Sequence, residues 1–318
     1  MTDARRAGTS NKAIVYNGLS MRKRFIRYYE LFLMLLIPIA YYIIFHYIPM
    51  YGLSIAFKEY NLMKGVMDSP WIGMTYFKQV WSNPMFWMAF MNTLIISALK
   101  LVITFPAPIV LALLLNELRN LKFKKIVQTV SYLPHFISWV VLSAIVINFL
   151  SPSVGPLNAI IKMTGNNAIN FVAEKRYFRS VLILSSLWKG VGWGTIVYLA
   201  AFSSINPELY EAAVIDGAGR LRQTINVTIP SIMHVVIIML IFAIGGIIND
   251  DFDQIYNLYN DAVVSVAEVI STYVYKIGLL RMNYSFGAAV GMFKNVIAFT
   301  LIILTNAVAK KVSDYGIW

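Results

Sequence analysis

Long apolar runs, separated by short polar stretches, dominate the pattern along this 318-residue chain. Six of them stand out, near residues 31–56, 86–116, 126–150, 181–204, 229–248 and 286–309. Backbone N–H and C=O groups in hydrocarbon have no water to bind, so each run must satisfy them internally, and a helix does this within one segment. The expected class is therefore an all-α integral membrane protein with six transmembrane helices. The second run, at about thirty residues and about 45 Å, outruns a hydrocarbon core of about 30 Å. It is expected to project beyond the bilayer on the cytosolic side and to bend near Pro106 and Pro108.

Composition removes other classes. Hydrophobic residues make up 58% of the chain and charged residues only 13%, with a mean hydropathy of +0.65, outside the range of soluble domains. The formal charge of +12 suggests nucleic acid at first sight. The basic residues, however, flank the apolar runs, where they meet anionic lipid headgroups. They crowd the amino-terminal tail, the segment with Arg119, Lys122, Lys124 and Lys125, the stretch with Arg220 and Arg222, and the tail with Lys310 and Lys311. The alternate segments carry fewer over greater lengths, so both termini and the 206–230 stretch are expected in the cytoplasm. The first run is too long for a cleaved leader and lacks a small-residue cleavage site. With no cysteine in the chain, disulfides and thiol chemistry are excluded.

The polar stretches divide the chain. Residues 1–28 form a basic tail, with 17–29 expected as an interfacial helix; 29–56 form a leading accessory helix and 57–84 an external loop. A core of five helices follows over 85–309, ahead of a cytoplasmic tail at 310–318. Within the core lies an external loop at 249–285, where Glu268, Thr272 and Lys276 recur at four-residue steps and predict an amphipathic surface helix.

The 206–230 stretch spends over twenty residues where a turn needs few. Asn206-Pro207-Glu208 reads as a helix start, with an N-cap, proline at the first position and acid in the first turn. Glu211-Ala212-Ala213, three residues, Gly217, nine residues, Val227, one residue, Ile229 and Pro230 complete the pattern. Gly217 and Gly219 permit a sharp reversal, and Pro230 is expected to open the next helix.

That spacing resembles the signature of importer-type ABC permease subunits, and the resemblance covers the chain from the first span onward. The strings Asn92–Ser97, Phe105–Glu117, Tyr132–Trp139, Gln254–Asn260 and Asp314–Trp318 resemble the subgroup for complex sugars, oligosaccharides and polysaccharide-derived glycans. The resemblance implies a type I ABC importer permease fold in a bacterial cytoplasmic membrane, with the hairpin docked on a cytoplasmic ATPase. Glu211, Ala212, Ala213, Asp216, Gly217, Arg220 and Pro230 are the implied coupling residues, with Glu211, Asp216 and Arg220 bracing the hairpin. It also implies an extracytoplasmic glycan-binding protein, two ATPase subunits that hold the ATP and Mg, and a second, homologous permease, because one chain supplies one hairpin. No cofactor is expected on this chain.

Catalytic motifs are missing. His46, His135 and His234 are isolated, and neither a His-Glu-x-x-His zinc pattern nor a phosphate-binding glycine loop is present, so no catalytic or metal residue is expected. A sugar path wants aromatic platforms beside amides and carboxylates, which nominates Trp188, Trp193, Tyr198, Asn249, Asp253 and Tyr256. For the tryptophans the other reading is helix packing; for Asp250, Asp251 and Asp253 it is a solvated loop or a docking surface. Lys100, Lys189 and Lys294 lie within apolar spans and serve a wet path or subunit interface, or else snorkel to the headgroups. They lean toward a substrate bearing an anionic group. Two other classes compete with the importer. A secondary transporter or channel would want a halves repeat, which is not found, and a membrane-embedded glycan enzyme would want a convergent acid–base or metal set.

Overall fold

The computed structural model describes residues 27–246 and 251–313. The interfacial segment expected at 17–29 lies outside them up to residue 26, as do Asn249, Asp250 and the terminal string 314–318. Among the described residues the chain is helical, with two isolated β-bridges and no strand. Four helices among the described residues are long and apolar enough to cross a membrane alone: Tyr29–Phe57, Pro84–Glu117, Lys175–Ser203 and Tyr284–Ala307. Two bent pairs raise the number to six: Leu121–Phe136 with Trp139–Leu150, at 107°, and Arg220–Ser231 with Met233–Gly245, at 64°.

The chain divides into two compact units, residues 1–54 and 55–318. In the first, α1 (Tyr29–Tyr42) runs into a π turn at Ile43–Tyr47 and on through Ile48–Met50. Pro49 lacks the N–H that would bind the carbonyl four residues back, and the π turn absorbs that gap. No residue of α1 is buried within the unit.

In the second unit, α2 (Pro84–Thr104) and α3 (Pro106–Glu117) together make a 34-residue span with a break at Phe105, where Pro106 restarts the helix. At about 50 Å this span exceeds any ordinary bilayer core. α4 (Leu121–Tyr132) and α5 (Trp139–Leu150) correct the expectation of one continuous span over 126–150. Between them Leu133–Phe136 tightens to a 3₁₀ turn around Pro134, Ile137 extends, and Ser138 caps α5. α6 (Lys175–Ser203) is the central helix and packs against α2, α3 and α4. A Cβ on Gly192 would overlap the Ser131 carbonyl of α4, so only glycine allows this approach.

After α6 come α7 (Pro207–Ile215) and α8 (Arg220–Gln223), then a π turn at Thr224–Thr228, Ile229–Ser231 and α9 (Met233–Gly245). Pro230 again follows a π turn and precedes the 64° bend, so it sits inside the bent span instead of opening a straight one. The segment ahead of the last helix, α12 (Tyr284–Ser313), also departs from expectation. In place of one surface helix it holds α10 (Phe252–Leu258), two short turns over Asp261–Ala267, α11 (Ile270–Val274) and a π turn at Tyr275–Leu280. Glu268, Ile270 and Thr272 are buried. The four-residue recurrence misled because Asn92 and Thr93 of α2 capture the backbone here. Asn92 Nδ2 donates to the Ser265 and Glu268 carbonyls at 3.1 and 3.0 Å, and Thr93 Oγ1 accepts from Ile270 N at 2.9 Å. Arg179, near the start of α6, binds Asn92 Oδ1 at 2.8 Å and the Val266 carbonyl. This segment thus packs at the start of α6, while the 206–230 hairpin leaves its other end.

Candidate functional site

The hairpin is built by local rules. Asn206 Oδ1 accepts from Glu208 N at 3.1 Å and Pro207 opens α7. At the far end Ala218 N donates to the Ala213 carbonyl and Gly217 N to that of Val214, at 2.9 and 3.0 Å. This paired closure requires the left-handed conformation that Gly217 adopts, φ +74°. Gln223 Nε2 donates to the Ala218 carbonyl at 2.7 Å, and the Tyr210 and Thr228 hydroxyls meet at 2.9 Å, tying the two arms.

Of the expected braces, Arg220 is paired within the chain: its Nη1 donates to Glu117 Oε2 of α3 at 2.9 Å. Glu211 and Asp216 form no side-chain hydrogen bond or ion pair among the described residues and stand exposed. Ala212, Ala213 and Asp216 line a shallow cavity of about 350 Å³ with Arg222. Around it the apolar side chains of Val214, Ile215 and Leu221 face outward, Ile215 at 85% of its full exposure. An exposed apolar and charged rim around small residues is a docking chemistry.

A second cavity, of about 480 Å³, lies among α2, α3, α6, α9 and α10. Lys100, Trp193 and Tyr198 line it, as do Ser97, Thr104 and Asp251. Lys100 Nζ donates to Asp251 Oδ2 at 2.7 Å and to Gln254 Oε1 at 2.5 Å. Gln254 is fully buried and spends its amide on the Leu182 carbonyl and Ser185 Oγ, at 2.6 and 2.8 Å. The indole of Trp193 lies flat on His135, with ring centroids 4.4 Å apart, so the isolated histidine packs against the cavity wall.

The remaining nominees lie elsewhere. Trp188 lines a separate apolar cavity with Phe149, Leu157 and Phe171. Asp253 is exposed, and Tyr256 stacks on Phe252 and against Tyr275, away from the central cavity. Lys189 is half-buried beside the α4–α5 break. Its ammonium donates there to the carbonyls of His135 at 2.9 Å, of Ile137, and of Pro134 at 3.4 Å, the last also accepting from Ile137 N, and lies over Trp139. Lys294 is half-buried on α12.

Outside the spans, Lys276 donates to buried Glu268 at 2.8 Å and sits over the Tyr259 ring. Burial opposes its charge, but the hydrogen bonds and charge of Glu268 and Tyr259 outweigh that and hold the ammonium above its ordinary pKa. The pairings of Glu117, Asp251 and Gln254 escaped sequence reasoning, because nothing local shows which partner each would meet.

Residues 104–314 match the family described as binding-protein-dependent transport system inner membrane component. The chain belongs to that family. It is 43% identical over 288 residues to the polygalacturonan/rhamnogalacturonan transport system permease protein YteP of Bacillus subtilis (strain 168), covering 91% of this chain and 90% of that one. Protein LplB of the same organism is 41% identical over 288 residues, covering 91% of each. Among solved structures, a chain in the crystal structure of a bacterial ABC transporter involved in the import of the acidic polysaccharide alginate superposes with a TM-score of 0.86 at 38% identity, over 92% of this chain and 99% of that one. The all-α fold with its two bent pairs is thus that of an ABC importer permease, and the chain is a membrane transport component.

Proposed function

We propose that this chain is one of two homologous permease subunits of an ATP-driven, binding-protein-dependent importer of polysaccharide-derived oligosaccharides in a bacterial cytoplasmic membrane. Two cytoplasmic ATPases hold the ATP and Mg, and this chain performs no catalysis of its own. The observation that carries the reading is the hairpin: a closed helical turn, pinned to α3 through Arg220–Glu117, with apolar and charged groups turned outward. An ATPase gripping the cavity at Ala212, Ala213 and Asp216 would pull on α3 and α6 together. Those two helices wall the cavity that holds Lys100, Trp193 and Tyr198. Closure of the ATPases thereby opens that cavity to an extracytoplasmic glycan-binding protein, and their reopening releases the sugar inward.

The sugar class is supported by the names of the relatives, which refer to polygalacturonan, rhamnogalacturonan and alginate. Aromatic Trp193 and Tyr198 beside the hydroxyls of Ser97 and Thr104 suit rings with apolar faces and hydroxyl edges. The test is purification of the tagged chain from its native membrane. Recovery with a second permease and an ATPase is expected; a stable chain recovered alone would contradict the reading.

A further inference from the structure

We propose that Lys100 is the specificity-determining contact of the central cavity for carboxylate-bearing, uronic-acid oligosaccharides, exchanging the Asp251 carboxylate for one carried by the substrate. The inference rests on the importer reading and narrows its substrate class. Among the described lining residues the charged ones are Lys100 and Asp251. The two partners are unequally held. The Lys100 side chain is 14% exposed and is gripped by Gln254 Oε1, itself fixed by Leu182 and Ser185. The Asp251 side chain is 47% exposed. The cation is built into the wall, and its counter-ion faces the space a ligand would occupy.

An ammonium within an apolar span is costly to leave unpaired, since water cannot replace the lost anion. A sugar carboxylate replaces the aspartate group for group, keeping the lysine neutralised through the exchange. A neutral sugar can displace Asp251 only by leaving the ammonium with hydroxyl acceptors, which form weaker hydrogen bonds than a charged acceptor does. The resting pair thus screens against neutral chains and yields to acidic ones. It also prevents a bare cation from attracting small anions when the cavity is empty.

The test uses the complete transporter, with its partner permease, ATPases and binding protein, in proteoliposomes. Uptake is measured for trigalacturonate, its trimethyl ester and arabinotriose. Because every variant shares one binding protein, the change in the acid-to-ester ratio of kcat/KM isolates the permease. Loss of a charge-assisted contact in K100Q is expected to lower that ratio by about tenfold or more. K100R is expected to hold most of it, and D251N to raise it by removing the competing anion. An unchanged ratio in K100Q and D251N overturns the proposal; should K100Q not assemble, K100R and D251N decide by the same ratio. Wild-type transporter that takes up arabinotriose and neither trigalacturonate nor its ester refutes this inference and leaves the importer reading standing. Uptake of none of the three likewise refutes this inference, while the importer reading stands or falls on recovery of the chain with an ATPase and a second permease.

Discussion

Arg220 donates to Glu117 at 2.9 Å across 103 residues of chain, joining the hairpin to the end of α3. Both side chains are exposed, and such pairs contribute about 0.2–1 kcal/mol to stability. In the proposed coupling role, the pair serves to orient the hairpin more than to stabilise the fold. E117Q or R220Q is expected to insert normally, with little change in thermal unfolding, while transport per ATP hydrolysed falls several-fold. The swap E117R/R220E is expected to restore it. Full coupling in both single variants would remove the pair from the account.

Lys189 satisfies three carbonyls at the break between α4 and α5. A buried carbonyl left without a donor costs about 1–3 kcal/mol. K189M is expected to lower stability in detergent by at least that much, and K189R by less. Unfolding midpoints that do not distinguish the two would mean that the break is held by packing alone.

Gly192 and Gly190 offer a matched comparison on α6. A Cβ at 192 overlaps the Ser131 carbonyl, while at 190 it meets nothing within 4 Å. G192A should cost about 1–3 kcal/mol by forcing α4 away. G190A should be neutral or add up to about 1 kcal/mol from helix propensity. The two unfolding midpoints, measured side by side, check both signs.

Lys276 titrates above its ordinary value because Glu268 and Tyr259 outweigh burial. A raised lysine contributes its full stability below the unfolded pKa and loses it only as pH rises through the folded value. The destabilisation by K276Q is thus expected to be the same at roughly pH 6 and pH 9, shrinking only in stronger alkali. A penalty that fades between those two pH values would contradict the pairing.

Much of the fold was legible because membrane spans advertise themselves in composition, and the break at Phe105 falls beside the expected Pro106, but the bends after Phe136 and Ser231 were not anticipated. Pro134 sits at the first of these bends, yet its geometry needed Lys189, fifty-four residues beyond His135, to satisfy the carbonyls of His135 and Ile137. The hairpin was legible because its caps, Asn206 and Gly217, act locally. The cavity was read less well. Lys100, Trp193 and Tyr198 line it, whereas Trp188, Asp253 and Tyr256 turn elsewhere, since composition gives a residue's chemistry but not the helix face it occupies. The segment before α12 was misread because Asn92 and Thr93, far off in sequence, bind its backbone and break the helix that its periodicity suggested.

The most direct test of the coupling account uses a property of the chain itself. It contains no cysteine, so a single introduced one is unique within it. Ile215 at the end of α7 and Met163, in the helix Pro156–Met163 before α6, are each 85% exposed. A photo-reactive benzophenone attached at I215C or M163C, in the assembled transporter, reports what each surface touches. The account predicts that I215C cross-links to an ATPase subunit and M163C does not. Failure of I215C to reach an ATPase in an actively transporting complex would contradict it.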